Sequence, residues 1–248
     1  MTRVAVLGSR GRMGSAACEA IAAADGLSLV ARVDVDDPIE SLEQSGTEVA
    51  VDFTSPDAVM SSVRWCIGHG IHVVVGTSGF GQARLDHVRG WLLDAPSVAV
   101  MVVPNFSVGA VLMMRFAAQA AGFFESVEIV ELHHPDKVDA PSGTARRTAE
   151  LVAAARERAG MPAIPDATTD ALDGARGAEV AGVRVHGVRL RGLVAHQEVL
   201  FGGIGETLTL RHDSLDRVSF MPGVLSAVRW VPDHPGLTVG LEPALGLD

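Results

Sequence analysis

The stretch "VELHHPDKVDAPSGTA", residues 130 to 145, holds adjacent histidines at 133 and 134, a lysine at 137 and a small-residue turn. Consecutive side chains leaving a strand start toward opposite faces, so His133 and His134 are poorly placed to chelate one ion. No H-x-x-x-H or carboxylate at ligand spacing accompanies them, and no metal site is expected. The turn Pro141-Ser142-Gly143-Thr144 runs into an alanine-rich helical stretch. Ser142 suits the N-cap, and the amides of Gly143 and Thr144 are oriented to receive an anion. Lys137 adds a positive charge and His134 a further donor, which makes a pocket for carboxylate groups. His133 is then left to give or take a proton near neutral pH, for which imidazole is suited. A plain capped helix would explain Ser142 but not the lysine and both histidines.

A second cluster, "VAVLGSRGRMGSA", sets Gly8, Gly11 and Gly14 between an apolar run and a helical one. Residues without Cβ let backbone amides and a helix N-terminus approach a pyrophosphate closely. The G-x-x-G-x-x-G spacing is weak alone, and a glycine turn without a ligand is the plain alternative. Its context is strand, loop, helix, strand and then Asp34, placed to accept ribose hydroxyls, which predicts dinucleotide binding. A carboxylate at 34 favours NADH, whereas Arg10 and Arg12 offer guanidinium donors to the 2′-phosphate of NADPH, which leaves both cofactors open. "GTSGF" (Gly76, Thr77, Ser78) and "VPNFS" (Val103, Pro104, Asn105, Phe106) also follow strands at the presumed carboxyl edge, where open α/β sheets bind ligands. A nicotinamide joined to the histidine cluster predicts hydride delivery to an unsaturated anionic substrate with protonation beside it.

The elements that must hold these clusters follow from periodicity. From residue 3 to about 104, short apolar runs alternate with amphipathic stretches, near 12–24, after Pro56 and near 82–94. That rhythm predicts a parallel sheet covered on both faces. Beyond about 106 come a helix, the strand "SVEIVEL", a helix from about 143 to 159 and the strand-like runs "VRVHGVRL", "HQEVLFG" and "ETLTLRH", a mixed α+β unit. Residues 160–179 lack periodicity and read as a mobile excursion. A last helix over about 214–230 and the run "GLTVGLEP" are expected to return to the first domain.

With 248 residues, 48% hydrophobic and 20% charged, the chain is a folded globule in which two domains are expected. The formal net charge of −10 opposes nonspecific binding to nucleic acid or anionic membrane. Cys18 and Cys66 make neither a disulfide framework nor a zinc set, which points to a reducing cytoplasm. A strand begins within three residues of the start and no apolar run nears the roughly 18–20 residues of a membrane span, so neither export nor membrane insertion is expected.

"ELHHPDKVDAPSGTA", "GSRGRMG", "VGTSGF" and "PNFSVGAVLM" together resemble the 4-hydroxy-tetrahydrodipicolinate reductase (dihydrodipicolinate reductase) family of bacterial lysine biosynthesis, over essentially the whole chain. The resemblance implies a Rossmann-type domain, residues 1–106 completed by 217–248. It further implies a substrate-binding and tetramerisation domain over 107–216, and hence a homotetramer. In that family the first histidine and the lysine of the motif, here His133 and Lys137, handle protons. The second histidine with the Gly-Thr of the turn, here His134, Gly143 and Thr144, binds the cyclic dicarboxylate, beside Ser142. Cofactor contacts carry over to Gly8, Ser9, Arg10, Gly11, Arg12, Met13, Asp34, Gly76–Ser78 and Val103–Phe106. Ser78 stands where relatives often have threonine. Val35, Asp36 and Asp37 supply no arginine of the kind some relatives set beside the acid for NADPH. The resemblance implies reduction of 4-hydroxy-tetrahydrodipicolinate to tetrahydrodipicolinate by NADH or NADPH, with domain closure to exclude water. Another two-domain dehydrogenase of the aspartate pathway, or a nicotinamide sensor without catalysis, are the alternatives.

Overall fold

The computed structural model of the chain describes residues 1–247. The expected completion of the first domain runs to Asp248, which lies outside the described residues. The chain divides into two compact units, one formed by residues 1–108 with the stretch that begins at Arg217, the other by Gly109–Asp216.

In the first unit β1 (Thr2–Leu7), α1 (Arg12–Ala23), β2 (Leu27–Val33), α2 (Ser41–Gln44), β3 (Val49–Asp52), α3 (Val59–Gly68), β4 (His72–Val75), α4 (Gln82–Leu92) and β5 (Ala99–Val102) follow one another. Strands β3 and β5 are buried at every position, as runs of consecutive apolar residues require when helices cover both faces of a sheet. The sheet is wholly parallel. Its six strands run in the order β11-β5-β4-β3-β1-β2, with β11 (Gly236–Val239) added at the edge by the C-terminal stretch. The order reverses at the neighbours β1 and β3, the kind of switch point outside whose carboxyl ends open α/β sheets bind ligands.

The second unit begins along α5 (Val108–Ala120) and continues through β6 (Ser126–His133), α6 (Gly143–Arg158), β7 (Ala178–Val180), β8 (Val183–Arg189), β9 (Ala195–Gly203) and β10 (Glu206–Ser214). Its mixed sheet has the order β10-β9-β6-β8-β7, with β6 and β8 parallel and the other neighbours antiparallel. Alternation along β6 and β9 buries Val127, Ile129, Val199 and Phe201 against Ala145, Ala149 and Val152 of α6 and Ala117 of α5. Both expected sheets, one parallel and one mixed, are therefore present.

Two stretches differ from the sequence expectation. The last helix, α7 (Met221–Trp230), starts later than residue 214, because Ser214 still pairs with Ala195 of β9 and Pro222 marks the first turn of the helix. Residues 160–179 contain no helix, but they are tied down. Arg176 pairs with Glu128 of β6 and with Asp166, and β7 closes the stretch onto β8. Among the described residues no helix is long and apolar enough to cross a membrane.

Candidate active site

Along β6 the inward positions are Val127, Ile129 and Glu131, each fully buried. A carboxylate in a place that the alternation reserves for an apolar side chain needs partners, since an unpaired buried charge is strongly unfavourable. Strand β8 provides the room and the countercharge. Gly187 faces Glu131 in the register, and a Cβ there would lie 3.1 Å from Glu131 Oε1. Arg189 faces His133 and forks onto the carboxylate, Nη1 to Oε2 at 2.9 Å and Nη2 to Oε1 at 2.9 Å. Glu131 Oε2 also accepts from His133 Nδ1 at 2.5 Å, and Oε1 from the amide of Ser142 at 3.3 Å. Burial by itself pushes the Glu131 carboxyl up, but the hydrogen bonds from His133 and Arg189 outweigh it and hold the group below the usual carboxylate range.

The same guanidinium reaches the next loop. Arg189 Nη2 donates to the carbonyl of Asp139 at 2.6 Å, and the carboxylate of Asp139 takes Lys137 Nζ at 2.6 Å. Burial pushes the Asp139 carboxyl up, and Lys137 with the Gly143 amide brings it below its ordinary value. A continuous chain of contacts thus runs from His133 through Glu131, Arg189 and Asp139 to Lys137. Ser142 closes it on the helix side. Its hydroxyl accepts from the amide of Ala145 at 3.2 Å, so it serves α6 as N-cap and is itself buried. Gly143 is exposed and Thr144 half-buried at the start of that helix. His134 is the first residue beyond β6, and its ring makes no hydrogen bond among the described residues. Its carbonyl receives the Lys137 amide at 3.3 Å.

Within the first unit the remaining candidates leave the carboxyl edge of the parallel sheet. Gly8 adopts φ +74° and a Cβ on it would meet the Phe53 carbonyl oxygen at 2.6 Å, while one on Gly14 would meet the Gly8 carbonyl at 2.1 Å. Only glycine lets the loop lie this close to β3 and to its own helix. Gly11 caps α1 without a side chain, and the first-turn amides of Arg12 and Met13 make no backbone bond, so they remain available to a phosphate. Asp34 Oδ2 accepts from the Arg10 amide at 2.8 Å and Oδ1 from the Val35 amide at 3.0 Å, and these bonds hold its carboxyl below the usual range. The Arg10 guanidinium lies beside Asp37 at 3.4 Å and Asp36 at 3.7 Å; Arg12 is exposed. Such a loop, with its free amides and its acid at the end of β2, is chemically suited to a dinucleotide.

Gly76 passes between two rings. A Cβ there would lie 2.3 Å from Phe53 and 2.7 Å from Phe106, which pack edge to face with centroids 5.6 Å apart. Thr77 is buried and turns its hydroxyl inward to Asp52 Oδ1 at 2.9 Å, whereas Ser78 is exposed. Asn105 Oδ1 accepts from the Ser107 amide at 2.8 Å and shapes the loop that follows Val103 and Pro104. Helix α7 presses on that loop: a Cβ on Gly223 would lie 2.0 Å from the Phe106 carbonyl.

Sequence reasoning did not single out Glu131, Arg189, Asp139 or Asp52. Glu131 had a signal, an acid at an inward position of the alternating run "SVEIVELHH". Asp52 had one too, as the acid closing the apolar run "VAVD". Arg189 had none, because its place depends on how β8 registers with β6.

Comparison with known proteins agrees with both halves of the chain. Residues 2–106 match the family model described as dihydrodipicolinate reductase, N-terminus, and residues 109–245 the one described as dihydrodipicolinate reductase, C-terminus. The chain is 64% identical over 245 residues to the 4-hydroxy-tetrahydrodipicolinate reductase of Nocardia farcinica, covering 99% of each. It is 61% identical over 248 residues to that of Cutibacterium acnes, covering 100% of each. Among solved structures, dipicolinate-bound dihydrodipicolinate reductase from Paenisporosarcina sp. TG-14 superposes with a TM-score of 0.85 at 37% identity, covering 98% of this chain and 99% of that one. A probable dehydrogenase from Thermotoga maritima shares the fold at a TM-score of 0.64 and 14% identity, over 99% of this chain and 93% of that one.

Proposed function

Since the chain belongs to the dihydrodipicolinate reductase family, we propose that its chemistry is divided between its two units, the glycine-loop unit holding the cofactor and the unit of Glu131 and His133 holding the substrate. The reaction is reduction of 4-hydroxy-tetrahydrodipicolinate to tetrahydrodipicolinate with NADH or NADPH, in the diaminopimelate route to lysine. The pyrophosphate rests on the amides of the Gly8–Met13 loop and the start of α1, and Asp34 takes the ribose hydroxyls. Gly76–Ser78 and Val103–Phe106 line the nicotinamide end, with Thr77 acting through its backbone because its hydroxyl is engaged by Asp52. Loss of the 4-hydroxyl as water, together with a hydrogen of the neighbouring ring carbon, leaves a double bond at C4, and the reduced nicotinamide, when bound, supplies the hydride for C4.

His133 gives the accompanying proton to the neighbouring ring carbon from Nε2, since Nδ1 is held by Glu131. Lys137 and the amides of Gly143 and Thr144 bind one carboxylate, and His134 donates to the dicarboxylate as well. Lys137 also serves as a proton donor. The single observation that carries this reading is the anchored imidazole of His133, joined through Glu131, Arg189 and Asp139 to the one lysine of the motif. Its pairing with a dicarboxylate is supported by the Paenisporosarcina reductase, which is bound to dipicolinate.

The subunits assemble as a homotetramer through the sheet of the second unit, whose outward side carries Leu200, Thr207 and Thr209 in exposed positions. A cytoplasmic location accords with two buried free thiols, Cys66 being pushed by burial up to about 12. The direct test follows the absorbance of NADH and of NADPH after adding freshly generated 4-hydroxy-tetrahydrodipicolinate. Consumption matching substrate is expected; binding of cofactor without consumption would contradict the reading.

A further inference from the structure

We infer that Glu131 and Arg189 are positioning residues for the proton transfer: the buried, arginine-forked carboxylate fixes His133 with Nδ1 as donor and so presents Nε2 to the substrate. This rests on the reading of His133 as the residue that transfers the proton.

The geometry carries three independent marks of a built arrangement. The carboxylate occupies an inward position of β6 that its neighbours Val127 and Ile129 fill with apolar side chains, and it is fully buried. The facing position on β8 is glycine, and a methyl group there would crowd Oε1 at 3.1 Å. Arg189 neutralises the carboxylate through a two-pronged contact, so Glu131 remains an acceptor at both oxygens. An ionised carboxylate accepts and does not donate, so the 2.5 Å contact requires the proton on His133 Nδ1. Among the described residues Nε2 of His133 makes no hydrogen bond.

A second histidine in the same unit sets the contrast. His196 Nδ1 also pairs with a carboxylate, Asp213 Oδ1 at 2.6 Å, but its Nε2 accepts the amide of Val194 at 3.2 Å. Both ring nitrogens of His196 are thus engaged by the protein, while His133 has one anchored and one left for a ligand. Arg189 extends the effect. Its hold on the Asp139 carbonyl ties the loop of Lys137 to the carboxylate that orients the imidazole, so the proton-transfer group and the anion-binding lysine share one support.

The experiment compares Glu131→Gln, Glu131→Asp and His133→Gln with the wild-type chain by steady-state kinetics, alongside nitrogen-15 NMR of histidine-labelled protein. Glutamine keeps the shape but can turn its amide N–H toward Nδ1, which inverts the tautomer. For Glu131→Gln we expect kcat to fall about 10- to 10³-fold. The KM for substrate and NADH should move by less than about threefold, because Arg189 keeps its own bond to the Asp139 carbonyl and so its hold on the loop of Lys137. Partial recovery in Glu131→Asp, which restores the charge, is expected as well. In the wild-type spectrum His133 should carry its proton on Nδ1, and in Glu131→Gln that preference should disappear. Wild-type kcat in Glu131→Gln beside an inactive His133→Gln would overturn the inference while leaving the role of His133 standing. Full activity in His133→Gln would instead remove the reading on which it rests. Should the glutamine variant fail to fold, the wild-type spectrum alone decides, and a neutral His133 with its proton on Nε2 and none on Nδ1 would overturn the inference.

Discussion

Lys137 Nζ lies 2.6 Å from the carboxylate of Asp139, a residue of its own loop. The lysine assigned to the substrate is thus engaged by an internal anion that a dicarboxylate has to share or displace. The pair is partly exposed, with 22% and 42% of the two side chains accessible, so its strength is at most about 1 kcal/mol, or roughly fivefold in binding. In Asp139→Asn the KM for substrate should fall by about two- to fivefold, whereas Lys137→Ala should raise KM and lower kcat. Steady-state kinetics separates the two; an unchanged KM in Lys137→Ala would remove the lysine from anion binding.

Arg10 stands where the adenosine ribose is expected, with Asp36 and Asp37 around its guanidinium and Asp34 fixed by its own amide. Any contact that Arg10 makes to a 2′-phosphate is a charge-assisted one, and NADH has no such group to lose. Arg10→Ala should therefore raise the KM for NADPH about tenfold, as for a charged hydrogen bond, and that for NADH less than about twofold. Equal effects on both cofactors would contradict the assignment.

Gly76 has no space for a side chain between the rings of Phe53 and Phe106. Gly76→Ala should destabilise the protein by about 1–3 kcal/mol, the usual range for overpacking, and weaken NADH binding by distorting the loop through Ser78. Denaturant unfolding and NADH titration read the two effects. Wild-type values for both would show that the rings yield.

Asp52 is fully buried at the end of β3; Oδ1 accepts from the amide and hydroxyl of Thr54 and from Thr77, while Oδ2 has no partner among the described residues. Burial raises its pKa despite these bonds. The folded protein therefore keeps this proton to higher pH than the unfolded chain does. Its contribution to stability is full below the unfolded value of about 3.9 and is lost as pH rises through the folded one. Against Asp52→Asn, wild-type stability should decline as pH is raised from about 4 toward neutrality. A difference between the two that does not vary with pH would contradict the raised pKa.

What the sequence makes legible follows from the range of each interaction. The parallel sheet is readable because its strands are apolar at consecutive positions, and the His133–Thr144 cluster because its members lie within a single turn of chain. The anchoring of His133 is not readable locally. It depends on Glu131 meeting Gly187 and His133 meeting Arg189, and that register is fixed by packing across the mixed sheet. The start of α7 is hidden from local sequence for a similar reason, since pairing with Ala195 holds Ser214 in β10. Thr77 shows the complementary limit. Its place after β4 can be read from spacing, yet the direction of its hydroxyl is set by Asp52, a residue of a different strand.

The most direct test of the whole account is the turnover of His133→Gln with NADH and freshly generated 4-hydroxy-tetrahydrodipicolinate, measured together with its NADH dissociation constant. Loss of proton transfer from a positioned imidazole predicts a fall in kcat of about 10²- to 10⁴-fold, with NADH affinity within about twofold of wild type because the cofactor contacts proposed above belong to the other unit. Wild-type turnover in that variant would contradict the account.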